Sequence, residues 1–248
     1  MTDSHAHLDA CDEPAAALVE RAETAGVTRI ITIGTGIDSS KASLAIAERH
    51  HGVHAALGID PHQAGQPEAE RLAELRELLN HPKAVAVGET GLDTVRRFAT
   101  PGQQRRLFDA QLALADELGL PVVVHNREAD DETAAALAPF TGTVVLHCFS
   151  SPGLVMTAVE RGYYVSFAGN VTFPNAVALR EAASAVPADT ILVETDSPYL
   201  APQPMRGARN EPANLVHTIR VLADARGEQV EALAAQTHAN AAAAFGLA

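Results

Sequence analysis

Two histidines one residue apart, His5 and His7, stand near the start of the chain, and further metal-ligating side chains recur at Glu89, His125, His147 and Asp196. Imidazole nitrogens and carboxylate oxygens hold zinc, manganese and magnesium, and a His-x-His pair on a strand turns both rings to one side because alternate residues share a face. Four imidazoles and two carboxylates exceed the three or four donors that one catalytic zinc takes. The set therefore points to two divalent ions sharing a carboxylate, with one position left for water to be activated in a hydrolysis.

These residues stand where short apolar runs finish. Eight such runs read as strands: Thr2 to His7, Val27 to Gly34, His54 to Gly58, Ala84 to Gly88, Pro121 to His125, Val144 to His147, Tyr164 to Phe167 and Ile191 to Glu194. Stretches rich in Ala, Leu and charge separate them and read as helices: Pro14 to Ala25, Ser39 to His50, Glu68 to Asn80, Pro101 to Leu118, Glu128 to Ala138 and Asn175 to Val186, with Glu211 to Ala225 and Glu228 to Ala239 closing the chain. This alternation is the signature of parallel βα units. At about 31 residues per strand over 248 residues, it predicts a single α/β domain, residues 1–248, folded as a (β/α)8 TIM barrel with the metal site at the C-terminal ends of the strands.

Strands of a parallel barrel are buried on both faces, so polar groups at their ends are informative. A lone histidine after an apolar run is most simply a hydrogen-bonded core residue. Ligand-type residues at the ends of five separate strands are a different matter. His50, His51, His81, His217 and His238 fall on helices or their ends and read as solvated, and His54 begins a strand at the end away from the chemistry. His62, in Asp60-Pro61-His62 after the third strand, lies on the catalytic face and is a candidate for touching substrate.

Composition narrows the class further. Lys plus Arg number 18 against 31 Asp plus Glu, a net charge of −13, which excludes adhesion to nucleic acid through a broad basic surface and leaves local cations to attract any polyanion. No apolar run reaches the length of a membrane helix, and the first residues lack the basic start and apolar stretch of an export signal, so a cytoplasmic protein without a membrane partner is expected. Nothing in the sequence calls for an obligate protein partner. The two cysteines, Cys11 and Cys148, exclude a disulfide framework. Cys148 adjoins His147, and neighbours on a strand face opposite ways, so the pair is badly aimed for nucleophilic catalysis and Cys148 reads as packing. Gly34-Thr35-Gly36 lacks the spacing of a phosphate-binding loop and reads as a turn.

Taken together, Asp3-Ser4-His5-Ala6-His7-Leu8-Asp9, Gly88-Glu89-Thr90-Gly91-Leu92-Asp93, His125-Asn126-Arg127, His147-Cys148-Phe149-Ser150, Ser166-Phe167-Ala168-Gly169-Asn170, Glu194-Thr195-Asp196-Ser197-Pro198-Tyr199-Leu200 and Arg209-Asn210-Glu211-Pro212 resemble the TatD family of metal-dependent deoxyribonucleases in the amidohydrolase superfamily. The resemblance spans nearly the whole chain. It implies that His5, His7, Glu89 and Asp196 hold one divalent ion and that Glu89, His125 and His147 hold a second, the donor set leaving the metal open among Mg, Mn and Zn. It also implies DNA as substrate, single-stranded ends included, trimmed as by a 3′ to 5′ exonuclease. In that reading Asp196 is the general base, Glu89 bridges and spaces the ions, Arg127, Arg206 and Arg209 hold phosphates, and His62 touches substrate. The chain departs from the family at Asp60, where members often have His, at Thr94-Val95-Arg96, which lacks an aromatic soon after Gly-Leu-Asp, and at Ser151 in place of a glycine. Two other classes are distinguishable: a hydrolase of small esters, amides or phosphoesters, and a binding protein without turnover. Relatives that cleave amides often bridge their metals with a carboxylated lysine, whereas Glu89 ends the fourth strand here and Lys41 and Lys83 lie elsewhere.

Overall fold

A computed structural model describes residues 1–247. Its eight parallel strands form one sheet in chain order: β1 (Thr2–Ala6), β2 (Arg29–Gly34), β3 (Val53–Leu57), β4 (Ala84–Asp93), β5 (Val122–Arg127), β6 (Val144–Leu146), β7 (Tyr164–Phe167) and β8 (Ile191–Val193). The sheet curls until its ends meet. Asp196 N–H donates to the His5 carbonyl (2.9 Å) and His7 N–H donates to the Ser197 carbonyl (2.7 Å), so the segment leaving β8 pairs with β1. Side chains seal the same seam: Asp3 accepts from Thr195 N–H (2.9 Å) and from Thr195 Oγ1 (2.6 Å), and Ser4 Oγ donates to the Val193 carbonyl (3.1 Å).

The helices α1 (Ala15–Thr24), α2 (Ile37–Arg49), α3 (Leu72–Leu79), α4 (Pro101–Leu118), α5 (Asp130–Leu137), α6 (Val155–Arg161), α7 (Val177–Ala185), α8 (Leu215–Arg226) and α9 (Val230–Ala244) surround this (β/α)8 barrel. Two apolar layers follow from the alternation of strand residues. Ile30, Val53, Leu57, Val122, Val144 and Ile191 pack under the helices, whereas Ile31, Ile33, Val85, Val123, Val145 and Leu192 fill the barrel interior, with Ala241, Ala244 and Phe245 from the end of α9 packed against them. Two residues beyond Val123, Val145 and Leu192, on the same face of each chain segment, come His125, His147 and Glu194. The interior is thus apolar low in the barrel and ligand-bearing at the top. Among the described residues no helix is long and apolar enough to cross a membrane.

Some boundaries differ from the sequence-based expectation. The fourth strand does not stop at Gly88 but continues to Asp93, because its second half keeps pairing with β5 up to Asp93 opposite Arg127. α3 begins at Leu72 rather than Glu68: Pro67–Glu70 forms a 3-10 turn from which the Glu68 carboxylate caps the Ile37 N–H at the start of α2. α8 likewise begins after a 3-10 turn, Pro212–Asn214, and α9 continues past Ala239 to Ala244. The short helix α6 is absent from the expectation, since a seven-residue stretch with Val155, Thr157 and Val159 carries little helical signal.

Buried glutamines tie the catalytic end of the barrel to α4. Gln111 accepts from Ile59 N–H (2.8 Å) and donates to the Ile59 carbonyl (2.8 Å) and Thr90 Oγ1 (2.7 Å). Gln104 brackets the backbone of Asp93 in the same way, at 2.8 and 2.9 Å. Replacing Gln111 by Leu strands a buried N–H and carbonyl, and at about 1–3 kcal/mol per orphaned group the Gln111→Leu variant is expected to lose roughly 2–6 kcal/mol in urea unfolding. At the opposite end of the barrel, burial, with Lys83 and Arg29 nearby, lowers His54 to about 4. The unfolded chain then binds a proton that the folded chain refuses, so this contribution is fully present above the unfolded value of ~6.5. It is lost progressively as pH falls from there towards 4. The fall in stability across that window is expected to be shallower in His54→Gln than in the parent, measured by urea midpoints.

Candidate metal centre

Glu89 is the hub of the site. β4 carries one extra residue against β5 between Val87 and Thr90, a bulge that re-aims the side chain between them. Glycine is required beside it: Gly91 has φ +135°, and a Cβ there would lie 2.0 Å from the His125 carbonyl oxygen, so β4 and β5 approach as closely as they do only without a side chain. The Glu89 carboxylate lies between two pairs of imidazoles. Its Oε2 is 3.5 Å from His5 Nε2 and 3.7 Å from His7 Nε2, while its Oε1 is 2.8 Å from His125 Nδ1 and 3.2 Å from His147 Nε2. Asp196, delivered by the closing seam at φ +56°, completes the first group with its Oδ1 3.3 Å from His7 Nε2 and 3.8 Å from His5 Nε2.

Within each pair the ring nitrogens face one another, 3.2 Å apart for His5 and His7 and 3.2 Å for His125 and His147. Opposed nitrogens beside a carboxylate can share protons, but one proton serves one contact at a time, whereas a divalent cation accepts every lone pair at once. Nitrogen and oxygen donors of this kind fit such a cation. The charge state points the same way. Burial alone would raise the carboxyl of Glu89, yet His147, His125 and His5 hold it well below its ordinary value. Asp196 is lowered against its burial by His7 and His5. His147 is raised well above its ordinary value despite its own burial, because Glu89 and Glu194 surround it, while burial and the nearby His147 lower His5. The cluster thus keeps ionised carboxylates balanced by protons on imidazoles, which a cation would displace.

A second ring of residues orients the first. Glu194 is fully buried, accepts from Cys148 N–H (2.7 Å) and stands 3.4 Å from His147 Nδ1, on the far side of the ring from Glu89. Asp93, pulled down against burial by His125 and His62, lies 3.4 Å from His125 Nε2 and 3.0 Å from His62 Nε2. His62 is also 3.1 Å from Asp60 Oδ2, and the Asp60 contact, aided by Asp93, lifts its pKa to about 9. His62, Asp93 and His125 therefore form a third donor group, beside that of His5, Glu89 and His147, where Glu89 joins one histidine of each pair, and that of His5, His7 and Asp196. Asp93, Asp60 and Glu194 were not singled out from sequence, although strand alternation from Leu192 points at Glu194.

The mouth opens into a cavity of about 480 Å³ whose lining includes His62, Arg96, Arg127, Cys148, Asp196 and Tyr199. The phosphate-holding expectation divides here. Arg127 lines the cavity, whereas Arg206 and Arg209 do not. Arg209 is locked in a two-pronged pair with Asp12 (2.7 and 2.8 Å), and the Arg206 guanidinium lies 4.1 Å above the Phe173 ring. Arg209-Asn210-Glu211 instead pins the long loop after β8: Asn210 donates to the Thr195 and Tyr199 carbonyls (2.9 and 2.7 Å), and Glu211 pairs with Arg21. Cys148 also departs from a plain packing role, since it borders the cavity at φ +44°. Burial, with Asp196 and Glu194 close by, keeps its thiol well above the ordinary value and so protonated and unreactive.

Comparison with known proteins gives a consistent result. The sequence profile described as TatD related DNase matches residues 2–246. An uncharacterized metal-dependent hydrolase TatD of Mycobacterium tuberculosis is 41% identical over 100% of this chain and 98% of its own. A 3′-5′ ssDNA/RNA exonuclease TatD of Erwinia amylovora is 40% identical over 93% of each chain. The crystal structure of YjjV, a TatD homologue from Escherichia coli, superposes with a TM-score of 0.94 at 31% identity, covering 100% of this chain and 98% of that one.

Because Glu194 faces the back of the His147 ring, Glu194→Gln is expected to weaken zinc binding by roughly 10- to 100-fold, the usual effect of losing such a partner. Competition with a chelating dye measures it, and an unchanged affinity would place Glu194 outside the control of His147.

Proposed function

Since the chain belongs to the TatD related DNase family, and is a metal-dependent hydrolase as such, we propose that its one domain, residues 1–248, removes nucleotides from the 3′ end of single-stranded DNA using two divalent ions. The observation that carries this reading is the Glu89 carboxylate, whose two oxygens face two different histidine pairs. His5, His7, Glu89 and Asp196 would hold one ion, and Glu89, His125 and His147 the other. Mg, Mn and Zn all suit this mixed donor set.

Bound divalent ions supply charge neutralisation for the phosphate oxygens and a lowered pKa for water at neutral pH. The chain's own groups do the rest. Asp196, ionised and open to the cavity, is placed to receive the proton that the attacking water gives up. Glu89 keeps the two donor groups at a fixed separation. Arg127 and Arg96 line the cavity and have no ion-pair partner among the described residues, so both guanidinium groups are free to take phosphate oxygens. His62, held between Asp60 and Asp93, keeps a cationic ring at the edge of the cavity to steady the phosphodiester. No duplex-sized basic surface is needed in a chain of net charge −13 when the ions and a few unpaired arginines supply the attraction locally.

An end-labelled single-stranded oligonucleotide provides the test. Stripping with a chelator is expected to abolish shortening from the 3′ end, and adding back magnesium, manganese or zinc to restore it. Asp196→Asn is expected to lower the rate by at least ~10²-fold, as loss of a general base does. Cleavage indifferent to both treatments would sink the assignment. Turnover of lactones or cyclic amides without any cleavage of DNA would transfer the same centre to a small-molecule hydrolase.

A further inference from the structure

Beside the catalytic cavity lies a second hollow, of about 850 Å³, whose lining includes Thr94, Arg97, Phe98, Arg105 and Glu132. Asp93 borders both, so the hollow begins where the site ends. The loop that forms its rim is held firmly at its base. Asp93 Oδ1 accepts from Val95 N–H (2.8 Å) and Arg96 N–H (2.7 Å), Thr94 Oγ1 donates to the Glu128 carbonyl (2.7 Å), and α4 starts in a capping box between Thr100 and Gln103.

From that base the loop holds out Arg96-Arg97-Phe98. Phe98 is 64% exposed. Its ring meets His62 edge-on at 5.7 Å, and His62 in turn lies 5.8 Å from His125. An aromatic face is thus presented two ring-to-ring steps from a residue of the metal centre. Arg97, like Arg96, makes no hydrogen bond or ion pair through its guanidinium among the described residues, whereas Arg105 on the same wall is engaged with Asp109 at 2.7 Å. In a chain with 31 acidic residues against 18 basic ones, consecutive unneutralised arginines beside an exposed aromatic are matched to a ligand with both a planar ring and a phosphate.

We propose that this hollow is a nucleotide subsite in which Phe98 stacks on an unpaired base and Arg97 takes the attached phosphate, next to the nucleotide being cleaved. The subsite rests on the nuclease reading and deepens it. Stacking on Phe98 requires a base free of its complement, so single strands gain from it and duplex ends do not, and it is indifferent to base identity because every base has a π face.

Phe98→Ala is expected to raise KM on a single-stranded oligonucleotide by about 5- to 150-fold, the range to which ~1–3 kcal/mol of stacking converts, with little change in kcat. Phe98→Trp is expected to restore it, and both variants to hydrolyse bis(p-nitrophenyl) phosphate at the parent rate, since that substrate has no second nucleotide to place in the hollow. Oligonucleotides with an abasic position placed in turn at the last and next-to-last nucleotide supply a double-mutant cycle. One of them should cost the parent the same factor and cost Phe98→Ala nothing more. Arg97→Ala should flatten the dependence of KM on salt by about one phosphate contact. An unchanged KM in Phe98→Ala, or abasic penalties that persist in full in that variant, would overturn the subsite and leave the nuclease assignment standing. A parent enzyme that hydrolyses the nitrophenyl ester but no DNA would overturn both.

Discussion

Two backbone hydrogen bonds across the seam, Asp196 N–H to the His5 carbonyl and His7 N–H to the Ser197 carbonyl, hold together parts of the chain about 190 residues apart in sequence. Everything at the catalytic end depends on them. They carry the two histidines of β1 and the aspartate beyond β8 into one group, and they fix the floor against which Glu89 is set. The seam is reinforced from within by buried Asp3 on Thr195 and by Ser4 on Val193. Burial raises the Asp3 carboxyl to about 7 even with the Thr195 hydrogen bonds opposing it, a measure of how completely water is shut out there.

The price of gathering so many ionisable groups in one dry place is electrostatic, and the structure distributes it. Carboxylates and imidazoles alternate around the centre, so each buried anion faces a ring able to carry a proton, and each ring has an anion on one or both sides. His147 illustrates this best, with Glu89 on one edge and Glu194 on the other. Such a cluster has its charges internally paired and is poised to exchange protons for cations. The outer contacts from Glu194 and Asp93 set the ring orientations that make the exchange productive.

Away from the centre, the disposition of arginines separates structure from chemistry. Arg209, Arg21 and Arg71 are spent on acidic neighbours, and they hold loops and helices in place. Arg96, Arg97 and Arg127 have no such partners among the described residues and gather at the mouth of the barrel. An acidic protein can therefore attract a polyanion at one place while repelling it over most of its surface.

The sequence by itself determined the barrel and the identity of the six residues that converge on its end, because both are written in local patterns. Apolar runs at regular spacing specify βα units, and period-two alternation from Val123 and Val145 specifies that His125 and His147 face inward. It also led astray where local pattern was weak or function was read from residue type alone. The bulge that carries β4 past Glu89 to Asp93, and the seven-residue helix α6, depend on pairing and packing with distant segments. Arg209 reads as a phosphate ligand until Asp12, nearly 200 positions earlier in the chain, is seen to hold it. Which oxygen of Glu89 faces which histidine pair, and which arginines stay unneutralised beside Phe98, were decided only by the tertiary structure, since both depend on distances between residues on different strands and loops that no local spacing encodes.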